Sequence, residues 1–301
     1  MSIIALVGPT AVGKTSASIE LAEALGGPHA VEIIGADAMQ LYRGMDIGTA
    51  KATVAERRGI AHHQIDVLDP TETASVAAYQ RHARADLAAI QGRGRLPIIV
   101  GGSGLYVSAL LDEIDFPGTD PRIRARYEEI LAERGPSALH AMLGEVDPAS
   151  AAVIAPENSR RVVRALEVNE LTGRSFQPRF PRHTPHYEGI TLIGLRMGKE
   201  ELDDRIARRT EAMFEAGLLD EVTKLRERGI GRTAAGATGY REAGQVLDGE
   251  LTVAEAKDEI TRATRKLVRK QLTWFRRDRR IRWIEAPTST SELVALARLE
   301  S

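Results

Sequence analysis

An α/β fold, a parallel sheet with an inserted helical domain, is predicted by three features of the 301-residue sequence. Short runs rich in Val and Ile, IIALV (3–7), VEIIGA (31–36) and LPIIVG (96–101), lack the alternation of half-exposed strands. Such runs suit strands buried on both faces of a parallel sheet. Helical patterns separate them, at 14–25 and about 73–91, where apolar residues recur three and four apart. Between residues 112 and 188 this rhythm stops, and eight of the 13 prolines fall there.

Each element follows from the same logic in chain order. The first strand enters a helix through a glycine-containing turn, and the helix at 73–91 precedes the strand at 96–101, as in repeated βαβ units. The segment 112–188 shows helical pieces such as 122–134 and 158–172 and no core strand. It is expected to be a helical domain inserted into a core made of 1–111 and 189–301. Two more strand candidates, ITLIGLRM (190–197) and IRWIEA (281–286), flank a long helix near 200–228, a Gly-rich turn at 229–239 and helices at about 252–277. There is no internal repeat and no low-complexity tract.

Composition narrows the chemistry. A hydrophobic content of 43% supports an ordinary buried core. The absence of cysteine excludes a disulfide framework, a thiolate zinc site and a cysteine nucleophile. No run approaches the ~18 apolar residues of a membrane span, and no secretory leader is visible, so a cytoplasmic protein is expected. Net charge is only −1, but residues 262–282 carry ten Lys or Arg against one Asp278. Arg outnumbers Lys by 34 to 7, which favours planar recognition of phosphate.

Gly8, Pro9, Thr10, Ala11, Val12, Gly13, Lys14 and Thr15 form G-x-x-x-x-G-K-[ST], placed between a strand and a helix as a phosphate loop requires. The glycines let the backbone curl so that N–H groups point inward, and the helix N-terminus adds partial positive charge. Lys14 supplies a full charge and Thr15 a hydroxyl for Mg²⁺. The core is therefore expected to be a P-loop parallel sheet. ATP fits the rest poorly. Nucleoside triphosphatases place a carboxylate after a second apolar strand to hold the metal, whereas the strand at 96–100 runs into GGSGLY. The carboxylate that does follow a strand is Asp37, which could equally cap a helix. With Thr10, Gln40 and Ser103 it should face the crevice beyond the carboxyl ends of the strands.

The stretches GPTAVGKT, DAMQLYRGMDIGTAK, HHQIDVLDP, VGGSGLYVSALL, NSRRVVRALEV and GATGYRE, in that order, resemble the tRNA dimethylallyltransferases (tRNA isopentenyltransferases) from residue 3 to about residue 285. The resemblance implies a P-loop core with an inserted helical domain. It also implies transfer of a dimethylallyl group from dimethylallyl diphosphate to the N6 amine of the adenine just 3′ of the tRNA anticodon. The family usually has Ser after the catalytic Asp, where this chain has Ala38, so no hydroxyl is offered at that point. With no cysteine for a zinc-finger tail, the chain resembles the bacterial type, expected to act as a monomer.

The residues accommodate that chemistry. An exocyclic adenine amine is a poor nucleophile and needs a base, for which Asp37 serves. Diphosphate departs with growing charge, which the loop, Lys14, Mg²⁺ and nearby arginines would meet. The resemblance makes Thr10 a contact to the diphosphate that helps place Asp37, and makes Arg205 an arginine aimed at the diphosphate. It assigns Asp37, Ala38, Met39 and Gln40 to the flipped adenine of an anticodon stem-loop, and Ser103 and Arg124 to the channel where base and diphosphate meet. Arg160, Arg161 and Arg164 match an anticodon-binding run. Gly239, Tyr240 and Arg241 match another tRNA contact, with Tyr240 able to stack and Arg241 able to pair phosphate. The basic stretch 262–282 is a further candidate for RNA backbone.

His62 and His63, adjacent on an extended segment, point to opposite sides and suit structure better than a shared metal. Trp274 and Trp283 read as core. Two other functions share these features. A P-loop nucleotide or small-molecule kinase would have the same cradle and base. An RNA-binding protein with a nucleotide switch would have the same arginines but no task for Asp37 and Thr10. ATP is expected at most as a weak competitor in the cradle.

Overall fold

The protein is described here by a computed structural model that covers residues 2–176 and 183–298. Pro178 and Pro181 of the proline-rich segment lie outside the described residues. Among the described residues, six parallel strands form one sheet: β1 (Ile3–Val7), β2 (Val31–Gly35), β3 (His62–His63), β4 (Leu96–Gly101), β5 (Ile190–Arg196) and β6 (Arg282–Glu285). Their order is β3-β2-β4-β1-β5-β6, with register pairs such as Leu6↔Val100 and Leu6↔Ile193. The five apolar runs read from the sequence are all strands. β3 is the addition, a two-residue edge strand paired through Ile33↔His62 and Ile34↔His63.

The helices of the core begin with α1 (Lys14–Ala24), α2 (Val76–Gly92) and α3 (Gly104–Leu111). The insertion holds α4 (Pro121–Val146), α5 (Pro148–Ala151) and α6 (Ser159–Thr172). The core resumes with α7 (Lys199–Glu215), α8 (Leu218–Arg228), α9 (Arg232–Ala235), α10 (Tyr240–Leu247), α11 (Val253–Phe275) and α12 (Thr290–Arg298). The single long helix expected at 200–228 is thus two, broken at Gly217, whose φ of 94° is a left-handed conformation that glycine adopts without strain. The Gly-rich stretch after it contains the short α9.

Pleating explains why the strands carry apolar residues without alternation. Along β1, Ile4 and Leu6 join a cluster with Ile19 and Leu21 of α1, Ile206 of α7 and Leu293 of α12. Ile3, Ala5 and Val7 turn the other way, into a cluster with Leu87 of α2, Tyr106 and Leu110 of α3, and Phe275. Both faces of the sheet are covered by helices, so both residue parities are apolar. Trp274 and Trp283 pack against the second cluster, as the sequence reading expects.

The chain divides into two units, residues 1–113 with 185–301, and residues 114–184. Asp112 and Pro185, placed inside the insertion by the sequence reading at 112–188, pair as an antiparallel bridge and belong to the larger unit. The smaller unit has its own core, with Tyr127, Leu139, Leu143, Val162 and Leu166 buried together. Its longest helix is interrupted at Gly135 (φ 78°), just before Pro136. Among the described residues, no helix is long and apolar enough to cross a membrane.

Candidate active site

The phosphate loop curls as its sequence requires. Gly8 sits at φ 151°, and a Cβ on it would lie 2.6 Å from the Leu195 carbonyl oxygen of β5, so only glycine fits against that strand. Ala11 (φ 66°) and Gly13 (φ 99°) complete the turn into α1. Lys14 folds back over the loop and donates from Nζ to the Pro9 carbonyl at 2.7 Å. The backbone N–H of Thr10 is committed to Gln271 Oε1 of α11 at 2.9 Å.

A cavity of about 530 Å³ opens above the loop, lined by Thr10, Ala11, Gly13, Lys14 and Thr15 with Asp37, Gln40, Thr49 and Arg209. A smaller hollow of about 120 Å³ adjoins it, walled by Met39, Ile206, Met213, Ile260 and Leu267. Thr10, Asp37, Thr49 and Arg209 line both spaces. Asp37 therefore stands at their junction.

No helix begins at Asp37, so helix capping is not its task. Its Oδ1 accepts the Met39 N–H at 2.9 Å, in a turn closed by the side chain. Gln40 donates from Nε2 to the Thr49 carbonyl at 3.1 Å. Ser103 Oγ accepts the Ala38 N–H at 3.4 Å, so Ser103 reaches the segment where the family hydroxyl is missing.

The cations of the site are shifted by their surroundings. Burial pulls the Lys14 ammonium down to about 8; Asp37 opposes that shift and Arg209 adds to it. Burial likewise lowers Arg209, with Asp37 again opposing. Two positive groups thus crowd one carboxylate, an arrangement suited to receiving an anion.

Arg209 is the residue the sequence reading missed. Its Nη1 donates to Thr10 Oγ1 at 3.2 Å. Arg205, the expected diphosphate arginine, lies one turn earlier and does not line the cavity. Its Nη1 stands 3.6 Å from where a Cβ on Gly13 would be, and its guanidinium pairs with Glu201 at 3.5 Å. The two arginines are four residues apart, hence on one helix face, and that spacing was the available signal.

Several expected RNA contacts are placed differently. Tyr240 is 2% exposed and packs with Met45, Leu218 and Val222, so it cannot stack on a base. Arg241 is exposed beside it. Gly239 begins α10 at φ 95°, its N–H donating to Glu242. In the smaller unit, the buried Glu167 accepts from Arg124 at 2.7 Å and Arg164 at 2.8 Å. Arg164 also donates to the Gly118 and Pro117 carbonyls at 3.0 and 2.6 Å. That is a structural clamp, and it leaves Arg160 and Arg161 as the exposed members of the run. On α11 and beyond, Arg262, Lys266, Arg269, Lys270, Arg276, Arg277 and Arg279 are exposed, while Arg265 pairs with Asp203 and Arg280 with Asp112 and Asp278. His62 and His63 make separate contacts, to the Ile60 carbonyl and to Glu32.

The chain is similar to known proteins along nearly its whole length. A family model described as IPP transferase matches residues 40–278. A tRNA dimethylallyltransferase of Nocardia farcinica is 54% identical over 299 residues, covering 98% of this chain and 94% of its own. The crystal structure of a tRNA isopentenylpyrophosphate transferase from Bacillus halodurans is 43% identical, with a TM-score of 0.69 over 98% of this chain and 93% of that one. A eukaryotic dimethylallyltransferase acting on tRNA, followed in crystallographic snapshots, is 26% identical with a TM-score of 0.79, covering 97% of this chain and 75% of its own. With a loop built for phosphate, a carboxylate between two cavities and these relatives along nearly its whole length, the chain belongs to the IPP transferase family, that of the tRNA dimethylallyltransferases.

Proposed function

We propose that the protein transfers a dimethylallyl group from dimethylallyl diphosphate to the exocyclic N6 amine of the adenine just 3′ of the tRNA anticodon, releasing diphosphate. Membership of the family makes it a tRNA prenyltransferase. The observation that carries the finer reading is the position of Asp37, where the phosphate-loop cavity meets the apolar hollow.

In this reading the diphosphate lies over the loop, against the N–H groups of α1's first turn, Lys14 and Arg209. Asp37 uses the oxygen not occupied by Met39 to take the N6 proton. The amine nitrogen forms its bond to the allylic carbon as the carbon–oxygen bond to diphosphate breaks. The electron pair leaves on the diphosphate, where Lys14 and Arg209 face the growing charge.

Thr15, at the N-terminal end of α1 and on the cavity wall, is the residue suited to hold Mg²⁺. Among the described residues no cluster of three His, Cys, Asp or Glu could hold a metal unaided, so Thr15 would hold the ion together with diphosphate oxygens and water. Bound there, the ion would neutralise charge on the departing group.

The test is mass spectrometry of nucleosides from unmodified tRNA incubated with the protein, Mg²⁺ and dimethylallyl diphosphate, with nucleotides removed. A prenylated adenosine at full rate is the expected result. A strict requirement for ATP, or ATP hydrolysed in step with product, would overturn it.

A further inference from the structure

The segment 44–51 carries Thr49, Ala50 and Lys51 into the cavity wall without belonging to a helix or strand. One carboxylate gathers it. Glu221 of α8 accepts the backbone N–H groups of Asp46 and Ile47 on Oε2, at 3.0 and 2.8 Å, and that of Gly48 on Oε1 at 3.2 Å. Tyr240 of α10 donates its hydroxyl to Oε1 at 2.6 Å. Its ring lies so close to Gly48 that a Cβ there would stand 2.4 Å from Cε2. Burial and then the Glu221 charge raise the Tyr240 pKa, so the phenol remains a donor throughout the ordinary pH range.

Thr49 follows directly on this fastened stretch, and its carbonyl accepts Gln40 Nε2 at 3.1 Å. A carbonyl can only accept, so this bond fixes which end of the Gln40 amide is nitrogen and where the remaining atoms point. Glu221 and Tyr240 themselves line neither the cavity over the loop nor the adjoining hollow.

We propose that Glu221, oriented by Tyr240, is a positioning residue for the acceptor base: by fixing the 46–48 backbone directly before Thr49 it sets the direction in which Gln40 presents its amide. The role rests on Gln40 meeting the adenine edge in the reaction described above. Four donors converge on one carboxylate, and charge-assisted bonds of this kind hold a loop more firmly than neutral ones. Glu221→Gln keeps the shape but replaces one acceptor by an NH₂ that faces N–H groups. The loop is then free to shift at Thr49, and Gln40 with it.

The experiment measures transfer to an anticodon stem-loop RNA by wild type, Glu221→Gln, Tyr240→Phe, Gln40→Ala and the Glu221→Gln/Gln40→Ala pair. Glu221→Gln should lower kcat/KM for the RNA about tenfold or more, the scale of coupling within one hydrogen-bond network. Its inhibition constant for pyrophosphate should stay within about twofold, because the phosphate loop is not touched. Tyr240→Phe, which removes one oxygen, should show a smaller loss in the same parameter and serves if Glu221→Gln does not fold. On the Gln40→Ala background, Glu221→Gln should have little further effect. Undiminished multiplication of the two losses overturns the role, as does an equal loss of pyrophosphate affinity, which marks general loosening. Absence of transfer by the wild type overturns both the role and the reaction it serves, so the two failures are distinguishable.

Discussion

Arg209 Nη1 donates to Thr10 Oγ1 at 3.2 Å, a hydrogen bond between residues 199 positions apart. The same Thr10 gives its backbone N–H to Gln271. The phosphate loop, which forms at the N-terminus, is therefore fastened by α7 and α11, both of which follow the insertion in sequence. The loop motif alone specifies a cradle. In the proposed reaction, its use on a diphosphate beside Asp37 depends on groups that arrive from the other half of the chain.

Asp37→Asn keeps the Oδ1 that accepts the Met39 N–H and removes the carboxylate proposed as the base. Turnover should fall about 10²–10⁴-fold, the usual contribution of a general base. Affinity for the stem-loop RNA, measured by fluorescence anisotropy, should change far less. Near-full turnover in this variant would show that another group takes the proton.

Arg209→Gln should move activity and stability in opposite directions. The guanidinium is held near Lys14 in a site that disfavours charge. Removing it lowers kcat/KM for the prenyl donor about 10²–10³-fold, as expected when a donor to developing charge is taken away. The melting temperature should stay level or rise, because a crowded cation has been replaced by a neutral group. A fall of more than about 4 °C, roughly 1 kcal/mol or more for a chain of this size, would show that Arg209 is chiefly structural.

Lys14 gives the donor affinity a pH dependence. Its pKa in the free protein is lowered to about 8, and an anion bound beside the ammonium raises it again. Binding then takes up a proton above that pH, so affinity is flat below it and falls as pH rises through it, by at most about one log unit per pH unit. Lys14→Arg, which stays charged, should bind the donor with a flatter profile. Calorimetric titrations of both proteins across this range check the point; parallel profiles would remove Lys14 as the cause.

Much of this was legible in the sequence because β1, β2, β4 and β5 are buried along most of their length, and burial on both faces writes itself as apolar runs without alternation. β3 was not legible: two histidines at a sheet edge carry neither period nor hydrophobicity, and only pairing with Ile33 and Ile34 makes them a strand. The break at Gly217 was overlooked although the apolar phase shifts there: Met213 follows Ile206 by seven residues, on one helix face, whereas Val222 follows Met213 by nine, which would put it on the opposite face of an unbroken helix. Arg209 was hidden beside Arg205 and Arg208, where spacing identifies a helix face but not which turn reaches the loop. Tyr240 beside an exposed Arg241 looked like a stacking platform; its burial depends on α8 and the 44–51 segment, which are remote in sequence.

Glu32 should dominate acid stability. It is 2% exposed, yet accepts from Arg93 at 3.0 and 2.9 Å, from Arg95 at 2.8 Å and meets His63 at 2.6 Å. Burial pushes its pKa up, but these partners together hold it at about 2, against an ordinary 4.5. A carboxyl lowered by folding stabilises above its unfolded pKa, and that stability is lost as pH falls from about 4.5 through about 2. Glu32→Gln should cost about 3 kcal/mol at neutral pH, typical of breaking a buried pair. Its stability should also depend less on pH within that window. Denaturant melts at several pH values check both; an unchanged slope would assign the acid sensitivity elsewhere.

The arginines of the insertion should divide by what holds them. Arg160 and Arg161 are exposed at the start of α6, and their charges are available to an RNA backbone. Replacing either by Ala should weaken stem-loop binding and reduce the log–log salt slope by roughly 0.7 for each phosphate of single-stranded RNA that is no longer neutralised. Turnover at saturating RNA should survive. Arg164 is engaged by Glu167 and by two carbonyls, so Arg164→Ala removes the clamp on a carboxylate that is fully buried. Its first consequence should be a loss of stability within residues 114–184, seen as faster amide exchange there, with the salt slope of RNA binding unchanged. A salt slope reduced as much by Arg164→Ala as by Arg160→Ala, without faster exchange, would return Arg164 to the RNA-binding surface.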